Sequence, residues 1–225
     1  MSFILSDVGV LDAESIARHV DVPSMQNGPL YQTMFPQSNE ITEQQRDEIV
    51  RWYAETLEEA LQDRWESFLK ACSIDGNPVG FCGWTIIERK PSHQFEANDG
   101  QVNEPLKEKR RKKISWVPET IDIDGWITLS KALRTERDRV LNDLDSICRL
   151  TFMAVNPSYQ RRGIGSMMMQ RICEETDRHG RYAFVLAAPE GVRLYNKYGF
   201  EIVGRVQTPK GTITSMLRPP RINTV

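Results

Sequence analysis

The stretch VNPSYQRRGIGSMMMQ, residues 155–170, is where the fold can be read. Before it, CRLTFMAV (148–155) has the apolar, β-branched character of a strand. After it, Ile164, Met167, Met168 and Ile172 recur at helical steps toward Asp177, and Gly180 is a natural stop. The junction is therefore a strand-to-helix turn that carries two arginines and two glycines. A helix N-terminus presents unpaired backbone N–H groups and the positive end of the helix dipole, so an anion is favoured there. Gly163 and Gly165, without Cβ atoms, let a phosphate come close, Arg161 and Arg162 add charge-assisted hydrogen bonds, and Ser166 adds a hydroxyl. A pyrophosphate suits this site. The sequence has no GxxxxGK[ST] loop, and the third glycine of GxGxxG is missing, which argues against a nucleoside-triphosphate or dinucleotide site. The three consecutive methionines read as adaptable core packing.

Working outward, YAFVLAA (182–188) is a short, continuously apolar strand of the kind buried mid-sheet. GVRLYNKY makes a brief helix ending at Gly199, and FEIVGRVQT and GTITSML make two last strands. Toward the N-terminus, FILSDV reads as a strand, then a helix capped by Asp12 that ends before Pro23, then a structured loop over residues 24–40. A long helix starts at a Thr42–Gln45 capping box and buries Ile49, Trp52, Tyr53, Leu57, Ala60 and Leu61. ESFLKACSI and PVGFCGWTII form a hairpin through DGNP.

Residues from about 88 to 146 read as an insertion, too short and too polar for a core of its own. It holds a helix, WITLSKALRTERDRVLNDLD, with Leu129, Leu133, Val140, Leu141 and Leu144 on one face. The basic run Lys107–Lys113 reads first as a solvated loop, with a nuclear address or a nucleic-acid contact as alternatives.

With 225 residues, 40% hydrophobic and 27% charged, the chain can build one sizeable core, and one domain over 1–225 is expected. A net charge of -2 argues against a protein that coats nucleic acid. Cys72, Cys82, Cys148 and Cys173 are scattered without CxxC spacing, so neither a metal site nor a disulfide framework is expected. There is no basic leader and no apolar run of membrane-spanning length, so the expected location is cytoplasmic, with the basic run as the argument for a nuclear one.

The order of these pieces resembles the acetyl-CoA-binding core of the GNAT acyltransferase superfamily. The resemblance rests on Gln160-Arg161-Arg162-Gly163-Ile164-Gly165, matching Q/R-x-x-G-x-G/A, and on Leu194-Tyr195-Asn196-Lys197-Tyr198-Gly199-Phe200 after the next strand. It is specific over about 148–205 and only architectural before that. It implies a mixed α/β fold with a central, mostly antiparallel sheet, one splayed strand pair and flanking helices. Acetyl-CoA is the implied co-substrate, held by Met153, Val155, Gln160–Ser166 and Asn196. The Met153 N–H polarises the thioester carbonyl, Val155 holds the pantetheine arm, and Tyr195 protonates the departing thiolate. The implied reaction is direct acetyl transfer to a primary amine, with no metal and no protein nucleophile.

The general base stays open. Some family members carry a glutamate six residues before the valine, where this chain has Arg149. His93 and Glu190 are conceivable bases, and His19 and His179 suit packing or capping better; none is assigned. Trp84, Tyr31, Met34 and Phe35 fall where the family builds its acceptor pocket, which suggests an apolar part in a small amine substrate. A peptide or protein acceptor, a catalytically silent acyl-CoA-binding regulator, a nucleic-acid-binding role for KEKRRKKI, and a homodimer also remain open.

Overall fold

A computed structural model describes residues 3–62, 65–89 and 116–221. Seven strands form one sheet in the order β1-β2-β3-β4-β5-β7-β6. They are β1 (Ile4–Asp7), β2 (Glu66–Cys72), β3 (Pro78–Glu88), β4 (Ser146–Val155), β5 (Tyr182–Ala187), β6 (Glu201–Thr208) and β7 (Gly211–Arg218). Every neighbouring pair is antiparallel except β4 and β5. The helices are α1 (Ala13–Ile16), α2 (Val22–Met25), α3 (Pro29–Met34), α4 (Glu43–Leu61), α5 (Ile123–Leu141), α6 (Ile164–Arg178) and α7 (Val192–Lys197). The mixed α/β architecture inferred from the sequence is what the structure has.

The sheet is buried on both faces. Cys82, Leu150, Val185 and Met216 pack against Ile164, Met168, Met169 and Ile172 of α6, and Tyr195 of α7 joins them. On the opposite face, Phe68, Phe81 and Ala154 meet Ala13, Ile16, Val20, Leu57 and Ala60 of the N-terminal helices and α4. Gly80 lets α6 start so close to the sheet, because a Cβ there would stand 2.8 Å from Ile164 Cγ2.

The Thr42–Gln45 capping box forms reciprocally: Gln45 N–H donates to Thr42 Oγ1 at 3.2 Å, and Thr42 N–H donates to Gln45 Oε1 at 2.9 Å. Other expectations shift. The first helix does not stop before Pro23: it continues through a π turn, Ala17–Asp21, and Pro23 sits in the first turn of α2, where its missing N–H costs nothing. Asp12 leaves the helix uncapped, its carboxylate instead accepting from Gly9 N–H at 2.7 Å and pairing with Lys70 at 2.5 Å. The loop over 24–40 contains α3, whose Tyr31 and Met34 are core residues. In α6, Met169 is fully buried and Met167 only partly, one step round from the expected stripe. The helix of the insertion starts at Ile123, capped by Asp122, and buries Leu129 and Leu141, while Leu133 and Leu144 are half-buried. His93 and Lys107–Lys113 lie outside the described residues. Among those described, no helix is long and apolar enough to cross a membrane, and no cluster of His, Cys, Asp and Glu could hold a metal.

Candidate active site

The parallel pairing of β4 with β5 covers only Ile147↔Tyr182, Cys148↔Ala183 and Arg149↔Phe184. Beyond Arg149 the strands part, while β4 stays paired to β3 as far as Val155 and β5 stays paired to β7 as far as Ala187. A bulge between Gly83 and Trp84 on the β3–β4 ladder, opposite the step from Leu150 to Phe152, falls at the same level. The N–H of Asn156 donates to Val79 O on β3 at 2.9 Å. Since N–H directions alternate along a strand, Val155 and Met153 turn theirs away from β3, into the gap. The Val155 carbonyl faces the same way and accepts from Gln160 Nε2 at 3.2 Å.

Just past the end of β4, Pro157–Tyr159 makes a single 3₁₀ turn capped by Asn156, and the chain then enters α6. Gly163, the N-cap, has a left-handed φ of 91°, and Arg161 has φ 61°. The first i→i−4 bond of α6 is Met167 N–H to Gly163 O, so the N–H groups of Ile164, Gly165 and Ser166 have no helical acceptor. Gln160, Arg161, Arg162 and Gly163 are exposed. The Arg162 guanidinium lies 5.1 Å from the centre of the Tyr159 ring. Ile164 is buried and can offer only its backbone. A Cβ on Gly165 would stand 3.1 Å from Leu194 Cδ2, so the missing side chain at this position serves the contact with α7.

Two residues join the site that the motif reading did not single out. Lys197 Nζ lies 3.4 Å from Ser166 Oγ, and Tyr198 Oη donates to Ser166 O at 2.7 Å. Both stand inside the LYNKYGF segment, but only the docking of α7 on α6 brings them to the helix start. Asn196 is exposed on α7.

Tyr195 is 4% exposed, within the cluster that holds Cys82, Leu150 and Ala187 at the parting of the strands. Its ring lies 5.6 Å from that of Phe200 and against Gly191, where a Cβ would come within 2.9 Å of Tyr195 Cε2. Burial, with a smaller contribution from Cys82, raises the Tyr195 phenol above its ordinary range. Burial likewise pushes the Cys82 thiol up to about 12, and Cys148 to about 12, so neither is a ready thiolate.

The expected acceptor residues divide. Tyr31, Met34 and Phe35 are buried together with Trp52 and Tyr53 over α3 and α4, whereas Trp84 lies in the α6-side core. Of the weighed ionisable groups, Glu190 and His19 are exposed, and His179 closes α6, with Nδ1 3.0 Å from Glu175 O. Clefts of about 570 Å³ beside Arg51 and Trp116 and about 360 Å³ beside Val22 and Tyr31 lie among the N-terminal helices.

The family model of the acetyltransferase (GNAT) domain matches residues 116–202, which include β4, α6, β5 and α7. Over this stretch, less than half of the chain, the sequence is similar to the GNAT superfamily. Solved acetyltransferase structures resemble the chain over nearly its whole length. Arylalkylamine N-acetyltransferase 2 from Aedes aegypti is 13% identical with a TM-score of 0.63, covering 98% of this chain and 100% of that one. The histone acetyltransferase HPA2 and related acetyltransferase structure from Corynebacterium glutamicum is 16% identical with a TM-score of 0.60 over all of both chains. The PaiA N-acetyltransferase from Thermoplasma acidophilum, solved with coenzyme A, is 13% identical with a TM-score of 0.52, covering 97% and 99%. At these identities the likeness is one of fold. No curated protein matches the sequence. The parted strands and the exposed helix start stand side by side.

Proposed function

We propose that this protein is a GNAT acetyltransferase that transfers an acetyl group from acetyl-CoA to the primary amine of a small molecule, by direct attack with both substrates bound, and that residues 1–225 act as one domain whose coenzyme core spans about 148–205. The observation that carries the reading is the parting of β4 from β5 after Arg149, beside the uncapped start of α6. Acetyl-CoA supplies an activated thioester. The free N–H groups of Ile164–Ser166, with Arg161, Arg162 and Lys197, offer positive potential for its pyrophosphate. Met153 and Val155 offer main-chain groups along the gap: the Met153 N–H supports charge growing on the carbonyl oxygen, and Val155 pairs with the arm once Gln160 releases its carbonyl. Tyr195, at the inner end of the gap, donates a proton to the leaving thiolate. A phenol held neutral by burial still carries its proton when the thiolate forms against it, and the phenolate is reprotonated as the product leaves.

The test is the purified protein with acetyl-CoA and a panel of amines and basic peptides, reading thiol release and acetylated product. Turnover on a small amine is the expected result; turnover on peptides alone would redirect the reading to a protein acceptor. Gly163→Glu places a carboxylate at the pyrophosphate position, and loss of coenzyme binding is expected; retained tight binding would sink the site assignment. Arg149, standing where some GNAT members place a glutamate, favours a second reading, a silent acyl-CoA binder. That reading predicts coenzyme binding with no transfer to any acceptor and no effect of Tyr195→Phe.

A further inference from the structure

The N-terminal helices carry a group that neither the fold nor the coenzyme site uses. Asp21 is 4% exposed, its Oδ1 is buried without a hydrogen-bond partner, and it ends the π turn Ala17–Asp21. A buried carboxylate with an idle oxygen is costly, so a fold retains one only against that cost. π turns are themselves over-represented at functional sites.

The turn packs on β3 and β4 and is fastened to the end of β4, where Asn156 Nδ2 donates to His19 O at 2.6 Å. α2 then packs on β4 and α3 on β7, where a Cβ on Gly211 would stand 3.1 Å from Pro29 Cγ. β7 neighbours β5, so this segment crosses from one side of the strand gap to the other. It does so on the face opposite α6, which is the face left for an acceptor once the coenzyme occupies the α6 side. Beside Asp21 lie Tyr53 and, stacked on it at 6.5 Å, Tyr31, with Phe35 4.9 Å from Tyr31 and Trp52 5.2 Å from Tyr53.

We propose that Asp21 is the carboxylate that meets the substrate's ammonium group and takes its proton before attack, with the Tyr31, Phe35 and Tyr53 rings beside it for an apolar or aromatic amine. This rests on the acetyltransferase reading above. The ammonium gives one proton to Asp21, and the freed nitrogen forms the C–N bond as the C–S bond breaks. Tyr195 protonates the sulfur and recovers a proton from the new amide nitrogen. Asp21 later returns its proton to solvent, so one amide, one thiol and one proton leave.

The surroundings suit a proton acceptor that works near neutrality. Burial raises the Asp21 carboxyl to about 7. Tyr53 on α4 is the phenol beside it and Tyr31 on α3 lies against Tyr53; burial raises both phenols, with Arg46 of α4 opposing that shift at Tyr31. α2 carries no charged side chain, β3 has charge only at Glu88 at its far end, and its Cys82 belongs to the α6-side core. β4 has Arg149 alone, and Glu14, Arg18 and His19 on the preceding turns are exposed.

The test is Asp21→Asn, an isosteric change, in the full chain. At saturating acetyl-CoA, kcat/KM for the best amine should fall about 100-fold or more, with coenzyme affinity unchanged. The wild-type pH profile should carry a break near the Asp21 value of about 7, beyond the amine's own ionisation, and the variant should lose it. The melting temperature at pH 8 should not fall, since a buried charge has been removed. A variant within twofold of wild type would overturn the role of Asp21 and leave the acetyltransferase reading standing. A wild type that binds coenzyme A but acetylates no amine would overturn both. Should the variant melt early, the carbon-13 signal of the Asp21 carboxyl in the wild type decides: it should move on adding the amine with coenzyme A bound, and a fixed signal would overturn the proposal.

Discussion

Gly163 and Asp21 are opposite cases of a residue put to use. At Gly163 φ is 91° and a Cβ would meet nothing within 4 Å, so any cost of a side chain is a backbone cost. Gly163→Ala should lose about 1 kcal/mol in urea unfolding and shift the first turn of α6. Tyr195→Phe should lower kcat by roughly 100-fold and leave coenzyme binding and stability almost unchanged, because the ring keeps its packing against Phe200 and Gly191 and only the proton donor is removed. Asp21 gives a pH signature even without substrate. Its folded value, about 7, lies above the ordinary 3.8, so between those values the folded chain holds a proton that the unfolded chain gives up. Stability should therefore fall as pH rises from 3.8 to about 7 and then level off, and Asp21→Asn should flatten that slope in a series of thermal melts. Gly163 was legible in the sequence as a glycine at a strand-to-helix junction, though its left-handed φ was not. Asp21 was not: it reads as a polar residue near a helix end, and its burial comes from α4, more than twenty residues further on.

Among the elements, α6 and β7 are joined by Arg218, 2% exposed, which grips Asp177 with Nη1–Oδ1 at 2.7 Å and Nη2–Oδ2 at 2.6 Å. Burial would raise the Asp177 carboxyl, but the hydrogen bonds from Arg218 and the Arg221 N–H outweigh it and hold the group below its usual range. The contribution of this pair is present above the ordinary carboxylate value and is lost as pH falls through the lowered one. Asp177→Ala strands a buried guanidinium and should cost about 3 kcal/mol in chemical unfolding. α5 docks through a tighter fit. Arg139 Nη2 donates to Val203 O at 2.7 Å, Glu136 meets Ser215, and a Cβ on Gly204 would run into Glu136 Oε1. Gly204→Ala should cost about 1–3 kcal/mol, read by the same unfolding experiment. The periodic helices and the alternating strands were visible because burial of one face imposes its spacing on the residues. The path through Pro23 was not, because a proline in a first turn and one that ends a helix look alike without the preceding backbone.

Across the whole molecule, the sheet is two half-sheets, β1–β4 and β5–β7, touching along three residue pairs. A ligand seated in the gap would add main-chain bonds to one half and helix-start contacts above it. Coenzyme A at about 100 times its Kd should raise stability by ~2.7 kcal/mol, seen as an upward shift in melting temperature that grows with concentration. The mostly antiparallel sheet with one splayed strand pair followed from the family resemblance, but the strand order and the extent of the gap did not, since the gap depends on where pairing stops and not on which residues form the strands. Gln160 shows what this means for ligand binding. Its amide stands on the Val155 carbonyl like an understudy, sparing the slot a bare acceptor, so an arriving guest trades one hydrogen bond for another and gains its grip chiefly from charge at the helix start.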